Sequence, residues 1–164
     1  MTPDTIETFH AAARSVQYAG GFLAVGAAVQ RWAVLPIAMR AAPEFGQAAQ
    51  TLRNRAARWG MLGAVLLLLA GFVRLWLQGR ALLEPGEPLE TEFLRFLLTD
   101  TAWGRGWLAQ LLAAALTGLA FLVAWMYGRL GWVMVLFGTT AVAVAAPLTG
   151  HATGSAEAGA LGYP

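Results

Sequence analysis

The sequence contains no cysteine and no lysine, and it has only two histidines. The absence of cysteine excludes disulfide bonds, thiolate metal sites and thiol catalysis. Charged residues make up 12% of the chain, which is half of the roughly 25% found in typical soluble domains. All basic residues are scattered arginines, with no basic run and no interleaved aromatic residues. Nucleic acid is therefore not a predicted partner.

Long apolar runs dominate the remaining sequence. They cover residues 16–39, 59–78, 103–127 and 130–149. Each is long enough to cross a hydrocarbon core of about 30 Å, which needs about 20 helical residues. Helices also satisfy every backbone polar group inside the lipid bilayer. We therefore predict an all-α polytopic membrane protein in which residues 1–164 form one domain, with four transmembrane helices in an up-down bundle.

The arginine distribution predicts the orientation of this bundle. Four arginines lie in or beside the short segment between the first two apolar runs, opposed only by Glu44: Arg40, Arg53, Arg55 and Arg58. Short loops rich in arginine favour the cytoplasmic side of a membrane. The pattern predicts that both termini lie on the external side of the membrane.

Two further patterns refine the bundle. Apolar residues recur at helical spacing in segment 88–99, which predicts a short interfacial helix before the third span. Small residues also recur four apart within the apolar runs and would let neighbouring helices approach closely. They are Gly20, Ala24 and Ala28 in the first run, Gly60 and Ala64 in the second, and Ala114 and Gly118 in the third.

The two histidines are the candidate metal ligands. His151 follows Pro147 and Gly150 at the end of the fourth apolar run, and His10 precedes the first run. Imidazole is a common ligand of copper and other transition metals and can also carry protons. The alternative for His151 is capping of the carbonyl groups at the helix end, and residue types alone favour that alternative. His10 is the weaker candidate, because it lies in a lead-in segment where a solvated role is expected.

Polar residues inside the apolar runs have two interpretations each. Arg31 and Arg74 are either functional or extended towards the lipid headgroups, with headgroup contact favoured for Arg74. Gln110 and Thr117 lie seven residues apart on one helical face and are predicted to form hydrogen bonds between helices. The sequence contains no phosphate-binding loop, nucleophile triad or pair of intramembrane carboxylates, so no enzymatic activity is predicted.

Two motifs resemble the copper-resistance protein D (CopD) membrane family. One is the run from Leu97 to Gly104, Leu-Leu-Thr-Asp-Thr-Ala-Trp-Gly, and the other is Leu148-Thr-Gly-His-Ala at the end of the fourth run. The first span ending near Arg31 and Pro36 and the arginine-rich loop also match in order. The resemblance implies a helical protein of the bacterial inner (cytoplasmic) membrane that handles or transports copper. The external side is then the periplasm, and His151 matches the family's external histidine. Gln110 stands where the family often has arginine.

The resemblance covers only the first half of the family's longer pattern. The chain is therefore expected to be a piece of a longer protein, a half-length relative, or one half of a site completed by a homodimer or a partner membrane subunit. The main hypothesis is copper handling with His151 and His10 as ligands. The alternative is a non-catalytic accessory subunit of a larger membrane complex. Haem is a less favoured cofactor, because it needs both imidazoles to face each other across one pocket.

Overall fold

A computed structural model describes residues 3–42, 44, 46–84 and 86–149 of the chain. These residues form helices and connecting turns, with no β-strand among them. The helices are α1 (Pro3–Val29), α2 (Leu35–Ala41), α3 (Gly46–Ala81), α4 (Thr91–Thr99), α5 (Ala102–Tyr127) and α6 (Arg129–Ala145). A π-helical segment, Gln30–Val34, joins α1 to α2, and a 3₁₀ turn, Ala146–Thr149, follows α6. The all-α prediction is confirmed.

Three helical runs are long and apolar enough to cross a membrane: Glu7–Ala41, Gly46–Ala81 and Ala102–Tyr127. Helix α6 is also apolar but has only 17 residues. The structure thus supports a membrane protein with three to four helices capable of spanning. Helices α1 and α3 begin well before the predicted spans, which start at residues 16 and 59. The first turns of both helices are polar, so the apolar runs of the sequence do not include them.

Consecutive long helices pack side by side and run antiparallel, α1 against α3, α3 against α5, and α5 against α6. Helix α6 also contacts α1 and closes the bundle. We call the end where α1 begins, α3 ends and α5 begins the His10 end. The opposite end, where α2 ends and α3 and α6 begin, is the Arg40 end. Helix α4 lies at the His10 end and packs against α5, within the segment where the short helix is predicted.

Small residues bring the helices together, as their spacing predicts. A Cβ atom on Gly20 would lie 2.7 Å from the Gly63 carbonyl oxygen, and one on Gly63 would lie 2.6 Å from that of Gly20. The ring of Phe121 fills the space over Gly60, and Ala64 contacts Gly118. Backbone-to-backbone contact of this kind replaces bulky side chains in membrane bundles, where packing rather than water exclusion holds helices together.

A proline explains the π-helical segment. Pro36 has no backbone N–H to donate to the carbonyl four residues earlier, and its ring crowds that carbonyl. The helix widens just before it, so that the backbone N–H of Leu35 donates to the Gln30 carbonyl oxygen, five residues back. Such wide turns are frequently found at functional positions. This one contains Arg31.

Candidate functional site

The two histidine candidates differ in what the structure describes. His151 lies outside the described residues. His10 lies on α1, half-buried, one turn before Arg14. No group of three or more His, Cys, Asp or Glu side chains that could hold a metal ion occurs among the described residues.

A buried polar pair lies next to His10. Arg74 on α3 is 8% exposed, and its Nη1 donates a hydrogen bond of 2.6 Å to Oε1 of Gln17, which is 7% exposed on α1. Arg74 has a further interaction besides this bond. The hydrogen bond links two helices across 57 positions of sequence. A buried guanidinium of this kind is costly unless its N–H groups are satisfied, and Gln17 supplies one acceptor.

Helix geometry explains why Arg74 points inward. Side chains on an α-helix lean towards the helix N-terminus. Arg74 lies in the last two turns of α3, so its side chain leans away from the His10 end and towards the middle of the bundle. The interpretation that Arg74 extends to the lipid headgroups is therefore wrong. Gln17 was not singled out from the sequence, although an amide inside an apolar run is the signal that could have identified it.

The electrostatics around His10 are unfavourable for a bare cation. The positive charges of both Arg14 and Arg74 act on the His10 imidazole. Like charges repel, and the repulsion is stronger where water is excluded. A copper ion held by this ring would need an anionic or strongly donating second ligand to offset the two guanidinium groups.

An aromatic contact fixes α5 against α3 beside this polar pair. Nε1 of Trp107, which is 3% exposed, donates a 2.7 Å hydrogen bond to the Gly71 carbonyl oxygen. The ring also meets that of Phe72 edge-on, with 5.9 Å between the centroids. Gly71 lies one turn before Arg74, so this contact helps to hold Arg74 in place.

Gln110 and Thr117 have different surroundings from each other. Gln110 is buried on α5, one turn after Trp107. Its side chain or backbone takes part in a further interaction, so the residue is not without a partner. Thr117 is fully buried, but its Oγ1 donates to the Ala113 carbonyl within the same helix, at 2.7 Å. The hydrogen bond that Thr117 makes in the structure is therefore within its own helix and not the predicted one between helices.

The run from Leu97 to Gly104 forms the corner between α4 and α5. Thr101 is the N-cap of α5, where its Oγ1 accepts from the Gly104 N–H at 2.9 Å and donates to the Leu97 carbonyl at 2.6 Å. A Cβ on Gly104 would lie 2.0 Å from that same carbonyl oxygen. The geometry of this motif therefore builds a tight helix corner, which brings α4 against the His10 end.

A shallow apolar groove of about 210 Å³ runs between α1 and α3 close to His10. Its lining comes from side chains of these two helices: Phe9, Ala12, Ala13, Val16, Leu69, Ala70 and Val73. None of these side chains is a metal ligand. The groove suits a hydrocarbon chain and does not extend the polar site.

Comparison with known proteins gives one result. No curated protein and no solved structure matches the chain. The family model described as copper resistance protein D-like, N-terminal domain, matches residues 5–163. This range includes both motifs, both histidines, and the Gln17–Arg74 pair. Because the match covers nearly the whole sequence, the chain belongs to the copper resistance protein D-like N-terminal domain family.

Proposed function

We propose that this protein handles or transports copper across or at a bacterial inner membrane, using the His10 end of the bundle. The family match over residues 5–163 carries the proposal. The structure adds support, because buried polar side chains are expensive in a membrane bundle and commonly mark sites and pathways. Gln17 and Arg74 place such groups at the same end as His10.

Copper enters this proposal as a substrate bound by imidazole. Imidazole suits copper, and the chain offers two, His151 and His10. His151 is the first candidate, because Arg14 and Arg74 oppose a cation at His10. Two histidines do not complete a copper site, so further residues of a longer chain, a second copy of the chain or a partner membrane subunit supply the remaining ligands. No catalytic activity is proposed.

Replacement of His151 by alanine is expected to remove most of the copper bound by the purified full chain, because it deletes the leading imidazole. His10→Ala serves as the matched variant, and its effect should be smaller. Binding is measured by competition of Cu(I) with a coloured chelator in detergent. Unchanged copper stoichiometry in His151→Ala would contradict the assignment, whereas loss only in His10→Ala would reverse the order of the two ligands.

We further propose that the Arg40 end faces the cytoplasm and the His10 end the periplasm, supported by the arginine-rich segment at the former. The chain has no cysteine, so single-cysteine variants can be labelled without background. A membrane-impermeant maleimide should label Glu84→Cys in intact cells, whereas Gln47→Cys should react only after lysis. Both positions are exposed; Gln47 lies in the first turn of α3, and Glu84 lies three residues after the end of that helix. The reverse labelling pattern would invert the orientation.

The alternative proposal is an accessory subunit of a larger membrane complex. The absence of a three-ligand metal group within residues 3–42, 44, 46–84 and 86–149 favours it. A stable partner subunit that co-purifies in fixed stoichiometry, with no bound copper in either chain, would support this function. Copper bound by the chain alone would reject it. Haem is less favoured than copper, because it needs two imidazoles directed at one another.

A further inference from the structure

Arg31 and Arg53 lie at the Arg40 end on two segments that pack together. Arg31 is in the π-helical segment, which contacts α3, and α3 contains Arg53; the positive charge of Arg53 also acts on Arg31. Among the acidic residues from Glu7 to Asp100 that the structure describes, only Glu44 belongs to this end, and it is exposed. Two adjacent cations without a counter-charge repel each other and favour an anion between them.

The hydrogen-bonding groups of these arginines give independent support. Nε of Arg31 and Nε of Arg53 are both shielded from solvent, and neither has a hydrogen-bond partner in the described residues. Arg53 reaches Gln50 through Nη2, which leaves its Nε unsatisfied. Buried donors without a partner are rare in folded proteins, and an ion that belongs to the site is one of the usual reasons. The two donors without a partner thus belong to Arg31 and Arg53, which both lie at the Arg40 end of the bundle.

Aromatic rings hold Arg31 in position. Its guanidinium carbon lies 5.3 Å from the centroid of the Trp32 ring and 5.9 Å from that of Trp132. Both distances fall within the range of cation–π attraction. Nε1 of Trp32 donates a 3.2 Å hydrogen bond to the Trp132 carbonyl oxygen, which ties α6 to the π-helical segment. The guanidinium is thus preorganised rather than free to extend into solvent.

Exposed tryptophans flank this arrangement, as they do near the phosphate layer of a bilayer. Arg31 lies nine residues before Arg40 at the polar end of the helical run, and Arg53 lies six residues before Trp59. Trp32 and Trp59 are both exposed at this level, and tryptophans collect at the boundary between headgroups and hydrocarbon. Basic pockets between helices on the cytoplasmic side are known binding places for anionic lipid headgroups.

We propose that Arg31 and Arg53 form a binding site for a phosphate group, supplied by the headgroup of an anionic phospholipid. Because both Nε atoms are shielded in the structure, binding requires a small shift of each arginine side chain. Each guanidinium then donates from Nε and from a terminal nitrogen to the phosphodiester oxygens, as arginine does in paired contacts with phosphate. The phosphate would neutralise the repulsion between the two arginines and satisfy both donors. The site lies at the opposite end from His10 and does not depend on copper.

The test is a lipid titration of the purified full chain by native mass spectrometry. Phosphatidylglycerol should bind more tightly than phosphatidylcholine. A surface arginine contributes about fivefold to anionic-lipid binding, whereas a hydrogen bond to a charged group contributes about tenfold or more. Arg31→Gln and Arg53→Gln remove both contributions and should each weaken phosphatidylglycerol binding by more than about tenfold. The matched control is Arg40→Gln, which removes the same charge at the same end from an exposed side chain and should weaken binding by at most about fivefold.

Three outcomes decide the proposal. Equal losses in all three single variants would show general surface attraction and overturn the site. Full competition by millimolar inorganic phosphate would assign the site to a free anion and overturn the lipid assignment. Thermal unfolding in neutral detergent identifies a variant that is simply misfolded. In that case Arg31→Lys, which keeps the charge but loses the paired donors, should retain the fold and still lose affinity; unchanged affinity in that variant would also overturn the site.

Discussion

Replacement of Gly131 by alanine is expected to lower the free energy of unfolding by about 3 kcal/mol, the upper part of the range for overpacked sites. Gly131 lies in the first turn of α6, against the last turns of α5. A Cβ at this position would lie 2.0 Å from the backbone nitrogen of Ala124 and 2.3 Å from its Cα. Carbon atoms need about 3.5–4.0 Å, and backbone atoms cannot rotate away as a flexible side chain can.

Helices α5 and α6 cannot move apart freely to relieve this clash, because the turn that connects them is very short. Gly128 alone connects α5 to α6, with φ of +70°, a left-handed conformation that glycine adopts without strain. Separation of the two helices would also pull Trp132 from Phe121, whose rings meet edge-on with centroids 6.0 Å apart. Alanine gains about 1 kcal/mol over glycine in helix propensity, which is too little to offset these losses.

The matched control for Gly131→Ala is Gly26→Ala. Gly26 also lies within a helix, but a Cβ there would meet no atom within 4 Å, so this substitution should be neutral or stabilising by up to about 1 kcal/mol. Unfolding is followed by denaturant titration of each variant in the same detergent. Equal effects at the two positions would contradict the prediction, because they would mean that the contact of Gly131 with Ala124 does not determine the cost of substitution.

The sequence predicted the helices because apolar length reports the part of a helix that faces lipid. It predicted the close helix contacts because small residues recur with the helical period. It did not predict where helices end outside the bilayer: α1 and α3 start at Pro3 and Gly46, in turns whose polar residues carry no hydropathy signal. The π-helical segment was also missed, since a proline predicts disruption but not the form that it takes.

The candidate site was only partly predictable, for two physical reasons. The hydropathy of a sequence does not report the direction of a side chain. It therefore did not distinguish an arginine that extends towards the lipid headgroups from one that leans towards its own helix N-terminus, as Arg74 does. The partner of Arg74 is Gln17, 57 residues away, and a single sequence contains no record of such a pairing. His10 was identified from residue type alone, and its proximity to Arg74 follows only from the packing of α1 on α3. His151 lies outside the described residues and stays a prediction.

The Gln17–Arg74 pair provides the second test, through a double-mutant cycle. Gln17→Leu removes an acceptor from a buried charge and is expected to lower the free energy of unfolding by about 2 kcal/mol, since hydrogen bonds to charged groups contribute about 1.5–3 kcal/mol. Part of the guanidinium remains satisfied by its other interaction. Arg74→Leu leaves Gln17 without this donor but also removes a buried charge. The double variant should be close to the parent protein in stability, because apolar replacement of a buried polar pair is often neutral or stabilising.

Thr117→Val is the matched control for this cycle, because Thr117 is equally buried but donates only within its own helix. It should change the unfolding free energy by about 1 kcal/mol or less and should not couple to Arg74. Coupling of less than about 0.5 kcal/mol between Gln17 and Arg74, the error of additivity, would contradict a hydrogen bond that holds α1 to α3.

The double variant also separates structure from function at the His10 end. If the guanidinium of Arg74 only links two helices, a stable Gln17→Leu/Arg74→Leu protein should accumulate copper in cells as the parent does. If its charge takes part in copper handling, accumulation should fall while stability stays near that of the parent. We expect the second result, because two leucines would satisfy packing at lower cost than a buried charge. A positive charge beside His10 inside an apolar bundle is better explained by a functional role, such as holding the anionic ligand that a copper ion would need there, than by stability.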